Sequence, residues 1–121
     1  MEFKSNIPIY LQVIDDIKHK IIDGSINLGD KIPSTRELAV AYQINPNTAV
    51  RVYNEMESMG LCFTKRGLGT YVSEQEELLM QIKEEMSKSI LEDFVEGMSS
   101  LGYTKEEMLE EINNYLAHRD A

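Results

Sequence analysis

Apolar side chains recur at spacings of three and four in five stretches of this chain, and in one short stretch they alternate. In residues 8–23, Pro8 suits a helix start, and Tyr10, Val13, Ile14, Ile17, Ile21 and Ile22 line one side. Gly24 ends the run. Gly29-Asp30 then marks a turn, and Lys31-Ile32 reads as a short strand before Pro33. A second helical stretch opens at Ser34. Its hydroxyl and the Glu37 carboxylate have the spacing of a capping box, and Leu38, Ala39, Ala41 and Tyr42 supply the apolar positions. Only Gln43-Ile44 separates it from a third helix. There Asn45 caps, Pro46 suits the first turn, and Gly60 suits the left-handed residue past the end. Ala49, Val52, Met56 and Met59 give this helix one apolar face. Two short helices joined by so tight a turn make a helix-turn-helix. After Gly60 the period changes to two. Leu61, Phe63 and Lys65 alternate with Cys62 and Thr64, Lys65-Arg66-Gly67-Leu68-Gly69 turns, and Tyr71-Val72 follow, predicting a β-hairpin. Helix, helix-turn-helix and basic hairpin in this order form a winged helix-turn-helix.

The remaining two stretches are longer. Leu78, Leu79, Ile82, Met86, Ile90, Leu91, Phe94, Val95 and Met98 hold helical spacing through residues 74–98, and Gly102 breaks the run. Thr104 and Glu107 form another capping box, ahead of Met108, Leu109, Ile112, Tyr115 and Leu116. A helical hairpin cannot bury so wide a stripe on itself. It must pack on the winged domain or on a second copy of the chain, and its heptad-like repeat is too short for a long coiled coil. The expected fold is mainly α with a small β-hairpin wing. Residues 1–73 form the winged domain and residues 74–121 a two-helix dimerisation domain. Leu79, Ile82, Met86, Ile90, Phe94, Met98, Met108, Ile112 and Leu116 are its interface candidates.

Size and composition narrow this picture. A chain of 121 residues makes one domain, or one small domain with an appendage. It has no run of about 18 apolar residues and no basic-then-apolar start, so no membrane partner is expected and the location is read as cytoplasmic. The one cysteine, Cys62, has no partner for an internal disulfide and reads as a small core residue. The net charge of −9 is unevenly spread. Residues 1–73 hold eight Lys/Arg and eight Asp/Glu, whereas residues 74–121 hold four and thirteen. The N-terminal part can therefore approach a polyanion if the acidic part is held away.

Candidate chemistry lies on the second and third helices and the hairpin. Asn47, Thr48, Arg51 and Asn54 give the third helix a face of donors, acceptors and one fixed positive charge. That suits base edges and phosphates in a DNA major groove, and it also suits an ordinary solvated face. Arg36 sits in the first turn of its helix, where a cation is mildly unfavourable. An anionic partner accounts for it, as does an ion pair with Glu37 or Asp30. Lys65 and Arg66 stand at the hairpin tip beside Gly67, which permits close backbone approach. His19 is a lone histidine on a polar side. The clusters around Glu74, Glu84 and Glu106 lack the histidine or loop pattern of a metal site and read as solvated faces. No nucleophile–base pair or phosphate loop points to an enzyme, and no cofactor is implied.

The chain resembles the GntR family of bacterial transcription regulators. The carriers are Gly29-Asp30-Lys31-Ile32-Pro33-Ser34-Thr35-Arg36-Glu37-Leu38-Ala39, then Asn45-Pro46-Asn47-Thr48-Ala49 with Arg51-Val52-Tyr53, Glu57 and Gly60-Leu61, then Arg66-Gly67-Leu68-Gly69-Thr70-Tyr71-Val72. The short tail, with Leu101-Gly102-Tyr103-Thr104, looks like the YtrA subfamily, which carries a small dimerisation appendage. The resemblance implies that Arg36 contacts DNA from the helix before the recognition helix, with Ser34 and Thr35 beside it. It implies that Asn45, Asn47, Thr48 and Arg51 serve at the major groove and Lys65, Arg66 and Gly67 at the wing tip. Pro46 and Val50 depart from relatives that place arginines there. The implied partners are double-stranded DNA with a palindromic operator and a second copy of the chain, in a regulator read as a repressor. A winged protein-interaction module is the rival. An effector-gated sensor is a further one, although the tail is short for a cavity of about 300 Å³.

Overall fold

The computed structural model describes residues 1–119. The elements run in order α1 (Ile9–Ile22), β1 (Lys31–Ile32), α2 (Thr35–Tyr42), α3 (Pro46–Ser58), β2 (Cys62–Lys65), β3 (Gly69–Val72), α4 (Glu77–Ser100) and α5 (Lys105–Arg119). The helix ends are built by the residues the sequence offers for them. Ser34 Oγ accepts from Glu37 N while Ser34 N donates to the Glu37 carboxylate, both at 3.1 Å. Thr104 and Glu107 repeat that exchange at the start of α5. Asn45 Oδ1 accepts from Asn47 N at 2.8 Å, and Pro46 fills the first turn of α3.

The C-terminal ends of α2 and α3 share one device. At the end of α3, Leu61 N donates to Met56 O and Gly60 N to Glu57 O, with Gly60 at φ +78°. This is a Schellman motif, and glycine meets its left-handed residue without a Cβ penalty. It turns the chain so that Leu61 enters the core. The helix-turn-helix corner has the same pattern, Ile44 N to Ala39 O and Gln43 N to Val40 O. Here the left-handed residue is Gln43, φ 55°, the one non-glycine with positive φ among the described residues.

The three strands form an antiparallel sheet in the order β1-β3-β2. Cys62 pairs with Val72, Phe63 with Tyr71, Thr64 with Thr70 and Lys31 with Tyr71. Paired residues share a face, so the sheet has two unlike sides. Cys62 and Val72 are buried; Phe63 and Tyr71 stack on the other side, centroids 6.0 Å apart.

Helices α1–α3 and the sheet enclose one core. Val13, Ile14, Ile17 and Ile21 of α1 are buried, with Leu38 and Ala39 of α2 and Ala49, Val52, Tyr53 and Met56 of α3. Expectation and structure differ at the ends of the stripes. Ile22, Ala41 and Met59 are exposed, each in the last turn of its helix or just past it, where the core no longer covers the chain. Tyr53 joins the core of α3 instead. The chain divides into two compact units, Met1–Ile82 and a second beginning at Lys83. Buried Leu78 and Ile82 at the start of α4 belong to the first. No helix among the described residues is long and apolar enough to cross a membrane.

Candidate nucleic-acid interface

The exposed side of α3 carries Asn47, Val50, Arg51 and Asn54, with Thr48 half-buried. Ala49, Val52 and Met56 are fully buried, so the helix cannot rotate without losing its core. A helix pinned by one face presents the other at a fixed angle. Asn45 spends its carbonyl oxygen on the cap, which leaves its amide N–H₂ as its free polar group. Val50 is 44% exposed, an apolar side chain among polar ones.

Arg36 is exposed in the first turn of α2. Its two ion-pair candidates are otherwise engaged. Glu37 is held by Ser34, whose backbone N–H first and hydroxyl second lower its carboxyl below the ordinary range. Asp30 accepts from Asn27 N at 2.8 Å. Among the described residues the ion pairs lie within α1 and α4, and none involves Arg36, Arg51, Lys65 or Arg66. Four exposed cations thus keep their charge unneutralised in a chain of net charge −9.

Two of the four rest on aromatic rings. The Arg51 guanidinium carbon lies 3.8 Å from the Tyr10 ring centroid. Lys65 Nζ lies 4.6 Å from the Tyr71 centroid and 5.7 Å from that of Phe63. Arg66 and Gly67 form the hairpin turn, closed by Leu68 N donating to Lys65 O at 2.9 Å. Gly67 has φ +79° and an open surface, and Leu68 is 60% exposed.

Three tyrosines do work that spacing did not reveal. Tyr53 Oη donates to Pro33 O at 2.5 Å, which ties the segment just before Ser34–Arg36 to α3. Burial first pushes the Tyr53 phenol up, so it stays a donor. Tyr42 Oη donates to Asp16 at 2.6 Å and accepts from Lys20 at 3.2 Å, joining α2 to α1. Desolvation raises the Asp16 carboxyl, but Tyr42 and Lys20 outweigh it and leave it lowered. Tyr10, expected in the apolar stripe, is half-buried beneath Arg51. An aromatic at an uneven edge of a stripe was the available signal, but only the α1–α3 packing says which cation it meets. Cys62 is 4% exposed, and burial raises its thiol to about 11, in keeping with a small core residue.

The interface candidates of the tail fall into three groups. Ile82 and Met108 are buried within the single chain, at 1% and 9%. Met86, Phe94, Met98 and Ile112 are half-buried. Leu79, Ile90 and Leu116 are exposed, and so are Leu91, Val95, Leu109 and Tyr115. In the second unit Phe94, Glu111, Ile112, Tyr115 and Leu116 line an open cleft. No group of three or more metal-ligating side chains occurs among the described residues.

Comparisons with known proteins place the fold among bacterial regulators. The family model for bacterial regulatory proteins, gntR family, matches residues 9–72. The HTH-type transcriptional repressor YtrA of Bacillus subtilis (strain 168) is 39% identical over 101 residues, covering 78% of each chain. The structure of a GntR family transcriptional regulator from Listeria monocytogenes is similar with a TM-score of 0.83 and 35% identity, over 93% of this chain and 98% of that one. AraR(DBD) in complex with operator ORR3 is similar with a TM-score of 0.53 and 32% identity, over 60% of this chain and 86% of that one.

Proposed function

The chain belongs to the gntR family of bacterial regulatory proteins, and from that premise we propose that it represses transcription by occupying a palindromic operator as a homodimer in the cytoplasm. The observation that carries this reading is the set of exposed, unpaired cations Arg36, Arg51, Lys65 and Arg66 on the helix-turn-helix and hairpin of an otherwise acidic protein. The likeness to AraR(DBD) on its operator supports it. In this reading α3 enters the major groove. Asn47, Thr48 and Arg51 read base edges, and Val50 touches a thymine methyl. Arg36, with Ser34 and Thr35 at the start of α2, positions the protein on phosphates, as do Lys65, Arg66 and Gly67 at the wing. Asn45 contributes its free amide.

The second unit supplies the pairing. Ile90, Leu91, Val95, Leu109, Tyr115 and Leu116 are exposed on two amphipathic helices, and a two-fold axis would cover them with their own copies. Leu79, Met86, Phe94, Met98 and Ile112 flank them, while Ile82 and Met108 serve the single chain's own packing. Two recognition helices then face successive major grooves about 34 Å apart. The test is retention of genomic fragments by the purified protein, followed by sequencing. Recovery of one short palindrome is expected, with affinity falling by roughly 10³ or more between about 50 and 200 mM salt. No enrichment by folded dimer would overturn the reading.

A further inference from the structure

We infer that Tyr10 is a specificity-determining positioning residue, because its ring carries the Arg51 guanidinium. The inference rests on Arg51 reading a base pair, as proposed above. At 3.8 Å from the ring centroid, the guanidinium carbon is in contact over the aromatic face. Guanidinium groups stack there through cation–π attraction while the N–H donors at their edge stay free. Arg51 makes no side-chain hydrogen bond and no ion pair among the described residues, so Tyr10 is what orients it. A free arginine on an exposed helix samples many rotamers and gives up that freedom on binding a base edge. The ring restricts the sampling beforehand.

Tyr10 is itself held. It lies in the first turn of α1, where Pro8 offers no side-chain cap. The Gln12 side chain takes over by binding the segment ahead of the helix. Its Nε2 donates to Lys4 O at 2.9 Å and Ile7 O at 2.8 Å, and its Oε1 accepts from Lys4 N at 2.8 Å. Val13, Ile14 and Ile17, one to two turns on, are buried in the core that also takes Ala49 and Val52 of α3. The ring and the arginine are thus fixed to one another by the packing of α1 against α3. Sequence preference through Arg51 then depends on a residue of α1, outside the helix-turn-helix.

The test compares the full-length parent with Tyr10→Phe, Tyr10→Leu, Arg51→Ala and the Tyr10→Leu/Arg51→Ala double variant. Each binds two duplexes at one salt concentration: one selected by the parent from random-sequence DNA, and one random. Tyr10→Leu keeps apolar bulk and loses the ring. It is expected to lose about 3- to 10-fold on the selected duplex and nothing on the random one. Tyr10→Phe should keep the parent's preference, and the double variant should bind no worse than Arg51→Ala. The inference is overturned if Tyr10→Leu binds the selected duplex as well as the parent or better. It is also overturned if Tyr10→Leu weakens both duplexes alike, as a folding defect would, or if its loss adds fully to that of Arg51→Ala. A parent that selects no duplex removes the DNA-binding reading itself, an outcome distinct from all of these.

Discussion

The unit ending at Ile82 and the unit beginning at Lys83 are built from amphipathic helices with equally clear stripes, yet they handle them in opposite ways. Among the described residues, sixteen of the seventeen buried hydrophobic side chains lie at or before Ile82, and Met108 alone lies beyond it. Three helices and a sheet can surround a common space, so each stripe is covered by the others. Two helices have no third surface, and Ile90, Leu91, Val95, Leu109, Tyr115 and Leu116 stay in water. The first unit covers its stripes within one chain, and the second leaves much of its own exposed. The division also separates chemistry. Arg36, Arg51, Lys65 and Arg66 stand on the first unit, where packing holds the elements that carry them, while six of the chain's nine net negative charges lie beyond Ile82.

The difference can be broken or sharpened by substitution. The largest effect is expected inside the first unit. Met56 is fully buried, so Met56→Ala should cost about 2–5 kcal/mol, read by urea unfolding. Next is the second unit, where Leu91→Glu with Val95→Glu should raise the dimer dissociation constant by at least about 100-fold, roughly 2.7 kcal/mol. The first unit's unfolding midpoint should stay in place. Sedimentation checks the mass, and a variant that remains dimeric would remove these residues from the interface. Asn47→Ala should relax preference at one base pair by about 1–3 kcal/mol, whereas Arg36→Ala should weaken all duplexes alike. Binding titrations with matched and substituted duplexes separate the two, and neither variant should change the sedimentation behaviour.

Two smaller effects probe how the first unit is held. Gln43→Gly relieves a left-handed non-glycine residue and should raise stability by up to about 1 kcal/mol. Thermal unfolding checks it, and a loss would mean that the Gln43 side chain contributes something its backbone does not show. The Asp16–Tyr42–Lys20 link should give a weak pH dependence. The folded-state carboxyl of Asp16 is lowered from its ordinary 3.8, so its contribution is present above that value. It is lost as pH falls through the lower folded value. Lys20 is raised from 10.5, first by the Tyr42 hydroxyl, so its share is present below 10.5 and lost as pH rises through the higher folded value. Asp16→Asn should flatten the acid side of the stability profile measured by denaturant titration at several pH values.

Local chemistry was legible without coordinates. The two capping boxes, the Asn45-Pro46 start and the glycine stops at Gly60 and Gly102 act over a few residues, so the chain order that places them is also the structure that uses them. The helical periods identified most of the first unit's core for the same reason. Strand alternation was less informative. Leu61 and Cys62 are adjacent and both buried, because the chain is still turning out of the Schellman motif when it reaches the sheet. The exposed cations were visible as residues, but their lack of partners was not. Arg36 had two carboxylates nearby in sequence, and only the caps and turns that occupy Glu37 and Asp30 leave it unpaired.

By itself, then, the sequence determined the helices and their ends, the winged order of elements, the segregation of charge and the family. These depend on side chains within a turn or two of one another, or on motifs read directly along the chain. The tertiary structure alone decided that Tyr10 lies beneath Arg51, that Tyr53 holds Pro33, that Tyr42 meets Asp16 and Lys20, and that Lys65 covers Tyr71. Each of these pairs joins different elements, and the angle at which two elements cross is set by the whole packed core rather than by either segment. A sequence pattern says which face of a helix is apolar; which polar side chains then meet at the edges of that face depends on everything packed against it.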